Sequence, residues 1–214
     1  MLTVSDLNVQ IINEFGTQLE PLGFQRIGYR KWVRSQKQPI REMFLIETLK
    51  GFTYSPTWGF SSGIVPSFRS NSFHRQSSDK SAVRDLIIDP IDITGRVPRQ
   101  TFGFITGYDT QIPAKQIRTC AEHFIPLALA DFERIQTLID FCRFFLERSQ
   151  LQYRRFSFDM YVQHQLVYGF VLILLGHSNE GIEKIQEFCK QFEADFDNKI
   201  LSECIQNAES FQVK

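Results

Sequence analysis

The sequence predicts an α+β fold: an antiparallel sheet of about four or more strands in the N-terminal half, packed with an N-terminal helix and a C-terminal helical region that ends in a helical hairpin. Three observations carry this expectation. An apolar stripe at helical spacing opens the chain, alternating aromatic-rich segments follow, and apolar positions with a period near that of a helix run through the second half. Strands first and helices afterwards is the order of an α+β domain rather than of a parallel α/β one. The expected organisation is a helix-plus-sheet region over residues 1–112 and a helical region over 113–214, packed on the sheet as one domain.

The first helix is signalled by Thr3 and Asp6, a variant of the capping box, with Leu2 and Leu7 placed as a hydrophobic staple. Leu7, Ile11, Phe15, Leu19 and Leu22 run down one face, and Pro21 and Gly23 end the helix. Phe24 to Arg34 and Met43 to Leu49 then form a predicted hairpin whose loop carries Ser35 to Pro39. The third strand, Thr57 to Phe68, places Trp58, Phe60, Ser62, Ile64, Pro66 and Phe68 on one side and Thr57, Gly59, Ser61, Gly63, Val65 and Ser67 on the other. Side chains alternate along a strand, so one face is aromatic and the other nearly bare, open to close approach by a helix, a backbone or a ligand. The first helix and one later helix are the candidates to cover that bare face. Thr101 to Tyr108 repeats the pattern, with Phe102, Phe104 and Tyr108 against Gly103 and Gly107. Between these strands, Arg69 to Arg99 is polar and broken by Pro90 and Pro98, and only Leu86 to Ile88 looks strand-like.

Helices follow Pro113, which suits a first helical turn. Pro126 is expected to break or kink the run, after which Leu127 to Arg148 carries Ile135, Leu138, Ile139, Cys142, Phe145 and Leu146 on one stripe. A second long helix spans about Ser157 to Leu175, Gly176 stops it and Ser178 starts the next. The resulting hairpin resembles one tetratricopeptide-type helical pair, but no repeat period accompanies it. Glu193 to Ser210 is expected to form a polar helix.

The run Leu19-x-Pro21-Leu22-Gly23-Phe24-x-Arg26-x-Gly28, followed by Arg30 and Trp32, resembles the opening of bacterial domains known as domain of unknown function 4304. The resemblance covers about the first 70 residues. It supports the fold and implies a bacterial protein, and it brings no catalytic residues.

Composition narrows the function classes. With 214 residues, 43% apolar and 22% charged, the chain has material for a sizeable core, and its 21 phenylalanines supply bulk without a polar handle. Lys and Arg balance Asp and Glu at 24 each, so no long-range field recruits nucleic acid or an anionic membrane. Cys120, Cys142, Cys189 and Cys204 are widely spaced, as expected of reduced thiols in a cytoplasmic protein. No basic stretch followed by an apolar one opens the chain, so no signal peptide is expected. The longest apolar run, Leu166 to Leu175, is about half what a membrane span needs.

Several patterns hint at chemistry, each beside a plainer explanation. Gly59-Phe60-Ser61-Ser62-Gly63 matches the G-x-S-x-G nucleophile elbow, yet it sits in an alternating strand with no helix behind it, so small residues for close packing explain it better. Arg26, Arg30 and Arg34 share a face with Phe24 and Trp32, and no acidic residue occurs from Pro21 to Arg41. Such a face suits an anionic partner, although Glu42 and Glu47 stand where a hairpin would pair them with Arg34 and Arg30. Cys120 and His123 are spaced as two metal ligands, but no second pair matches them, so a buried thiol is the better account and neither metal nor cofactor is expected. Asp79, Asp89 and Asp92 join His74 in the long polar segment, where aspartates are ordinary turn residues.

No catalytic residue stands out; the candidate binding residues are Arg26, Arg30, Trp32, Arg34, Trp58, Ser61 and His74. The expected function is a non-enzymatic intracellular protein-interaction or accessory domain whose partner is another protein. An immunity-type factor that neutralises a bacterial partner is the specific version the resemblance suggests. The alternative is a small-molecule-binding domain or enzyme, with a pocket over the glycine-rich face rimmed by Arg30, Trp32 and His74. Nucleic-acid binding is third, disfavoured by the neutral charge.

Overall fold

The structure, a computed structural model, describes residues 4–49, 53–88, 105–106, 114–149 and 163–211. The chain begins with α1 (Val4–Leu19) and a short turn of tighter helix, Glu20–Leu22. Strands β1 (Gln25–Gly28), β2 (Lys31–Lys37), β3 (Ile40–Leu49) and β4 (Thr53–Ser61) follow. Next come β5 (Ser67–Arg69), β6 (Ser72–His74), β7 (Leu86–Ile88) and β8 (Ile105–Thr106). The helices α2 (Ala114–Glu133), α3 (Leu138–Ser149), α4 (His164–Leu174), α5 (Ser178–Gln191) and α6 (Lys199–Ser210) complete the described chain. The fold is α+β, as the element order predicts. The main sheet runs β1-β2-β3-β4-β7, with β8 antiparallel to the start of β4, and β5 and β6 form a separate antiparallel pair.

The chain divides into two compact units interleaved in sequence. The first comprises Met1–Ser35, Glu42–Gly59 and Ile88–Arg134, the second Gln36–Arg41, Phe60–Ile87 and Ile135–Lys214. Helix α2 falls in the first unit, with α1 and the first strands.

In the first unit α1 and α2 pack on the aromatic side of the sheet. Leu7, Ile11, Phe15 and Leu19 are buried along α1, as their spacing predicts, but Leu22 is 37% exposed. The helix has already tightened at Glu20–Leu22, and Gly23 turns the chain with φ 86°. Phe15 meets Trp32 and Phe44 at ring distances of 6.4 and 5.7 Å, and Trp58 stacks on Phe44 at 6.2 Å. Phe124 of α2 closes on Trp58 at 6.4 Å, and the indole N–H of Trp58 donates to Asp131 at 2.8 Å. These two helices thus cover the aromatic face rather than the glycine-bearing one. Arg118 of α2 donates twice to Glu14 of α1, at 2.9 and 3.1 Å, and these bonds hold the Glu14 carboxyl below its usual range.

Three expectations for the sheet need correction. The segment Phe24 to Arg34 is not one strand but β1 and β2, joined by a turn at Tyr29 and Arg30. The predicted hairpin loop at Ser35 to Pro39 shrinks to Gln38 and Pro39, because β2 runs to Lys37. The strand expected over Thr57 to Phe68 starts earlier, at Thr53, and ends at Ser61, since Gly63 turns the backbone with φ 68°. Every residue from Tyr54 to Ser62 is buried, so the glycine-bearing side of β4 is covered as fully as the aromatic side. Thr3 of the predicted cap, Phe102, Phe104, Gly103, Gly107 and Tyr108, and Asp89 and Asp92, lie outside the described residues.

The second unit contains the β2–β3 connection, the end of β4, the β5–β6 pair and helices α3 to α6. Pro126 does not break α2, which continues to Glu133. The run instead stops before Thr137, whose hydroxyl and backbone N–H both donate to Asp140 at 2.8 and 2.9 Å to start α3. Gly176, with φ 88°, ends α4, and α5 returns against it as the predicted hairpin. The last helix is not merely polar: Leu201, Cys204, Ile205 and Ala208 are buried along one side, and the Asn198 side chain caps its first turn. It packs on α4 and β6. Residues 69–88, which read as weakly patterned, are ordered around buried Phe73, Gln76, Ala82, Asp85, Leu86 and Ile88.

Candidate functional site

The structure scatters the seven candidate residues. Trp32 and Trp58 are core side chains, and Ser61 is fully buried. Arg34 is held within the first unit: its Nε bonds Glu42, its Nη1 donates to the Leu22 carbonyl at 3.1 Å, and its guanidinium lies 4.6 Å from the Phe24 ring centre. His74 is exposed at the end of β6, where its carbonyl accepts from Ser67 Oγ at 3.5 Å. Arg26 is exposed on β1, opposite Trp32 of β2. Arg30 is the member placed unusually.

The β1–β2 register, with Arg26 opposite Trp32 and Gly28 opposite Lys31, leaves Tyr29 and Arg30 as the turn at one end of the sheet. Arg30 has φ 56°, a left-handed conformation that costs an L residue about 1–2 kcal/mol. Glycine would take it freely. Local contacts hold the strained residue in place. Its carbonyl accepts the Ile46 N–H at 3.0 Å, and its Nη2 donates to Thr48 Oγ1 at 2.9 Å. Its guanidinium carbon lies 4.6 Å from the Tyr54 ring centre and 5.0 Å from that of Tyr29. Tyr54 is buried, whereas Tyr29 is 63% exposed. The Nε and Nη1 of Arg30 are shut off from solvent and meet no acceptor among the described residues. Beside the turn, a side chain added at Gly28 would find nothing within 4 Å.

A second polar constellation lies in the second unit, built around the G-x-S-x-G stretch. Ser62 donates to Asp85 Oδ2 through its N–H at 2.6 Å and its hydroxyl at 2.7 Å. The same hydroxyl accepts the N–H groups of Ile64 and Val65, both at 3.3 Å. Gln76 Nε2 donates to Asp85 Oδ1 at 3.0 Å and to the Val65 carbonyl at 2.9 Å. Its Oε1 accepts from Ser61 Oγ at 2.9 Å and from the Val83 N–H at 2.6 Å. Burial pushes the Asp85 carboxyl up to about 6, against the bonds from Ser62 and Gln76 and the Arg41 charge, which pull it down. Arg41 is buried and bonds Asp79 Oδ1 at 3.0 Å.

This cluster ties loop 62–66 to residues 76–85 and is closed to solvent. Ser61 gives its proton to an amide oxygen, and loop 62–66 leads into β5 instead of a helix, so the geometry of a nucleophile elbow is not formed. All four cysteines are buried and outside disulfides, and burial raises Cys120 and Cys142 to about 12, well above the range of a reactive thiolate. Cys120 is buried and His123 exposed, and among the described residues no group of three or more His, Cys, Asp or Glu side chains is placed to hold a metal. No helix of the described residues is long and apolar enough to cross a membrane.

Sequence reasoning missed Tyr29, Thr48 and Tyr54, and the partners Gln76 and Asp85. The turn had one legible signal: Gly28-Tyr29-Arg30-Lys31 interrupts an otherwise alternating segment. Gln76 and Asp85 had none, because they meet only after a loop closes. Comparison of the chain with models of protein families, with curated proteins and with solved structures gives no match.

Proposed function

We propose that this chain is a non-enzymatic protein-interaction domain that recognises its partner through the Tyr29–Arg30 turn and the adjoining β1 residues Arg26 and Gly28. The observation that carries the proposal is Arg30 itself. An arginine in a left-handed turn position, where glycine is cheaper, points to a side chain selected for something other than folding. The exposed Tyr29 beside it is the residue type that anchors interfaces, with large contact area and few rotatable bonds. The partner is taken to be another protein in a reducing compartment, consistent with four buried cysteines outside disulfides. An immunity-type role rests on the resemblance of residues 19–32 alone.

The test places a photoreactive amino acid at Gly28, where a side chain has open space, and a second copy at the exposed Gln186 of α5 as control. One partner protein crosslinked from Gly28 but not from Gln186, and lost when Arg30→Ala is added, is the expected result. Equal labelling from both positions, or labelling indifferent to Arg30, overturns it.

A further inference from the structure

We propose, resting on the interaction role above, that Arg30 is the anchor of a carboxylate-binding site, covered by Tyr29 in the free protein and filled by an acidic side chain or chain end of the partner. The donors are already oriented. Thr48 holds Nη2 at 2.9 Å, and the buried Tyr54 ring, 4.6 Å from the guanidinium carbon, fixes its plane. Among the described residues Nε and Nη1 have no acceptor in a place water does not reach, whereas buried donors are normally paired. Tyr29, 5.0 Å away and 63% exposed, is the cover most easily moved, since an exposed side chain changes rotamer rapidly.

The charge pattern selects a carboxylate. No acidic residue lies from Pro21 to Arg41, so the turn carries only positive charge from its own segment. Arg34, further along β2, is occupied by Glu42. Nε–H and Nη1–H point to opposite sides of the guanidinium, so a carboxylate takes one of them together with the second N–H of Nη2, a two-point contact on a single cation that falls short of a phosphate, which commonly gathers several cationic groups.

The test uses the full chain labelled with nitrogen-15, following the Arg30 Nε–H resonance, assigned by its disappearance in Arg30→Lys. Glutarate is titrated at constant ionic strength, with sodium chloride and inorganic phosphate as parallel probes. A saturable shift with glutarate at millimolar concentration, several-fold tighter than with phosphate and absent with chloride, is expected. Tyr29→Ala is expected to tighten glutarate binding a few-fold by removing the cover. No shift, a non-saturating drift shared with chloride, or tighter binding of phosphate overturns the carboxylate site, and unchanged or weaker binding in Tyr29→Ala overturns the covering role. Crosslinking from Gly28 that persists alongside a failed titration would remove the carboxylate site and leave the interaction role standing.

Discussion

Glycine stands at position 63 because two atoms occupy the space a side chain would need. A Cβ there would lie 2.7 Å from the Pro39 carbonyl oxygen and 2.9 Å from Arg41 Nη1, and φ is 68°. Gly63→Ala is therefore expected to cost about 2–4 kcal/mol, from the left-handed backbone and the collision together, as measured by urea unfolding. The neighbouring Asp85 makes a different prediction. Its folded carboxyl holds the proton up to about pH 6, while its ordinary value is 3.8. The folded state therefore binds more protons than the unfolded state in that window, and this group's contribution to stability falls as pH rises from about 4 to about 6. Asp85→Asn removes the effect, so it should gain on the wild type by on the order of 2–3 kcal/mol between about pH 4 and about pH 7. A constant difference across that range would refute the assignment. Glu14 and Asp140, both held low by hydrogen bonds, slope the opposite way and lose stability as pH falls below their ordinary values. At this scale the sequence was a poor guide. The two glycines and two serines of positions 59–63 suggested close packing, but nothing in their order revealed that Gln76 and Asp85 would complete their hydrogen bonds.

The α4–α5 hairpin turns on a pair of glycines whose backbones touch. A Cβ on Gly169 would sit 2.7 Å from the Gly181 carbonyl oxygen and 2.6 Å from Ile185 Cγ1. One on Gly181 would sit 2.5 Å from the Gly169 oxygen. Alanine normally stabilises a helix relative to glycine by up to about 1 kcal/mol. Here the sign reverses: Gly169→Ala and Gly181→Ala should each destabilise by about 1–3 kcal/mol, and Gly28→Ala, with open space around it, should not. Thermal unfolding of the three variants tests the contrast. The hairpin was legible because Gly176 and Ser178 mark a stop and a start in sequence, and α1 because its stripe is regular. Pro126 is accommodated inside α2, and the α2–α3 break falls at Thr137, whose T-x-x-D spacing to Asp140 is the same cap signal as Thr3 and Asp6 but less conspicuous than the proline. The strand pair β1–β2 was merged for a similar reason: Tyr29 and Arg30 are ordinary strand residues by composition, and the break in alternation at Gly28–Lys31 is a weak signal beside the backbone turn at Arg30.

For the whole molecule, the order of strands and helices predicted the α+β class, because hydrophobic period survives in sequence. The grouping of the chain into two interleaved units did not, since β2, β3 and β4 each contribute residues to both. The candidate site followed the same division. Seven residues chosen for type and spacing proved to be core, surface or internal partners, and only Arg30 occupies a position that folding alone does not explain. The central claim is that Arg30 is kept for recognition at no benefit to stability. Arg30→Gly tests it most directly, with unfolding free energy and crosslinking from Gly28 measured on the same preparation. The account predicts stability within about 1 kcal/mol of wild type, since relief of the left-handed strain offsets the lost ring contacts and the Thr48 bond, with partner capture reduced at least about tenfold. A variant destabilised by several kcal/mol that still captures its partner would contradict it.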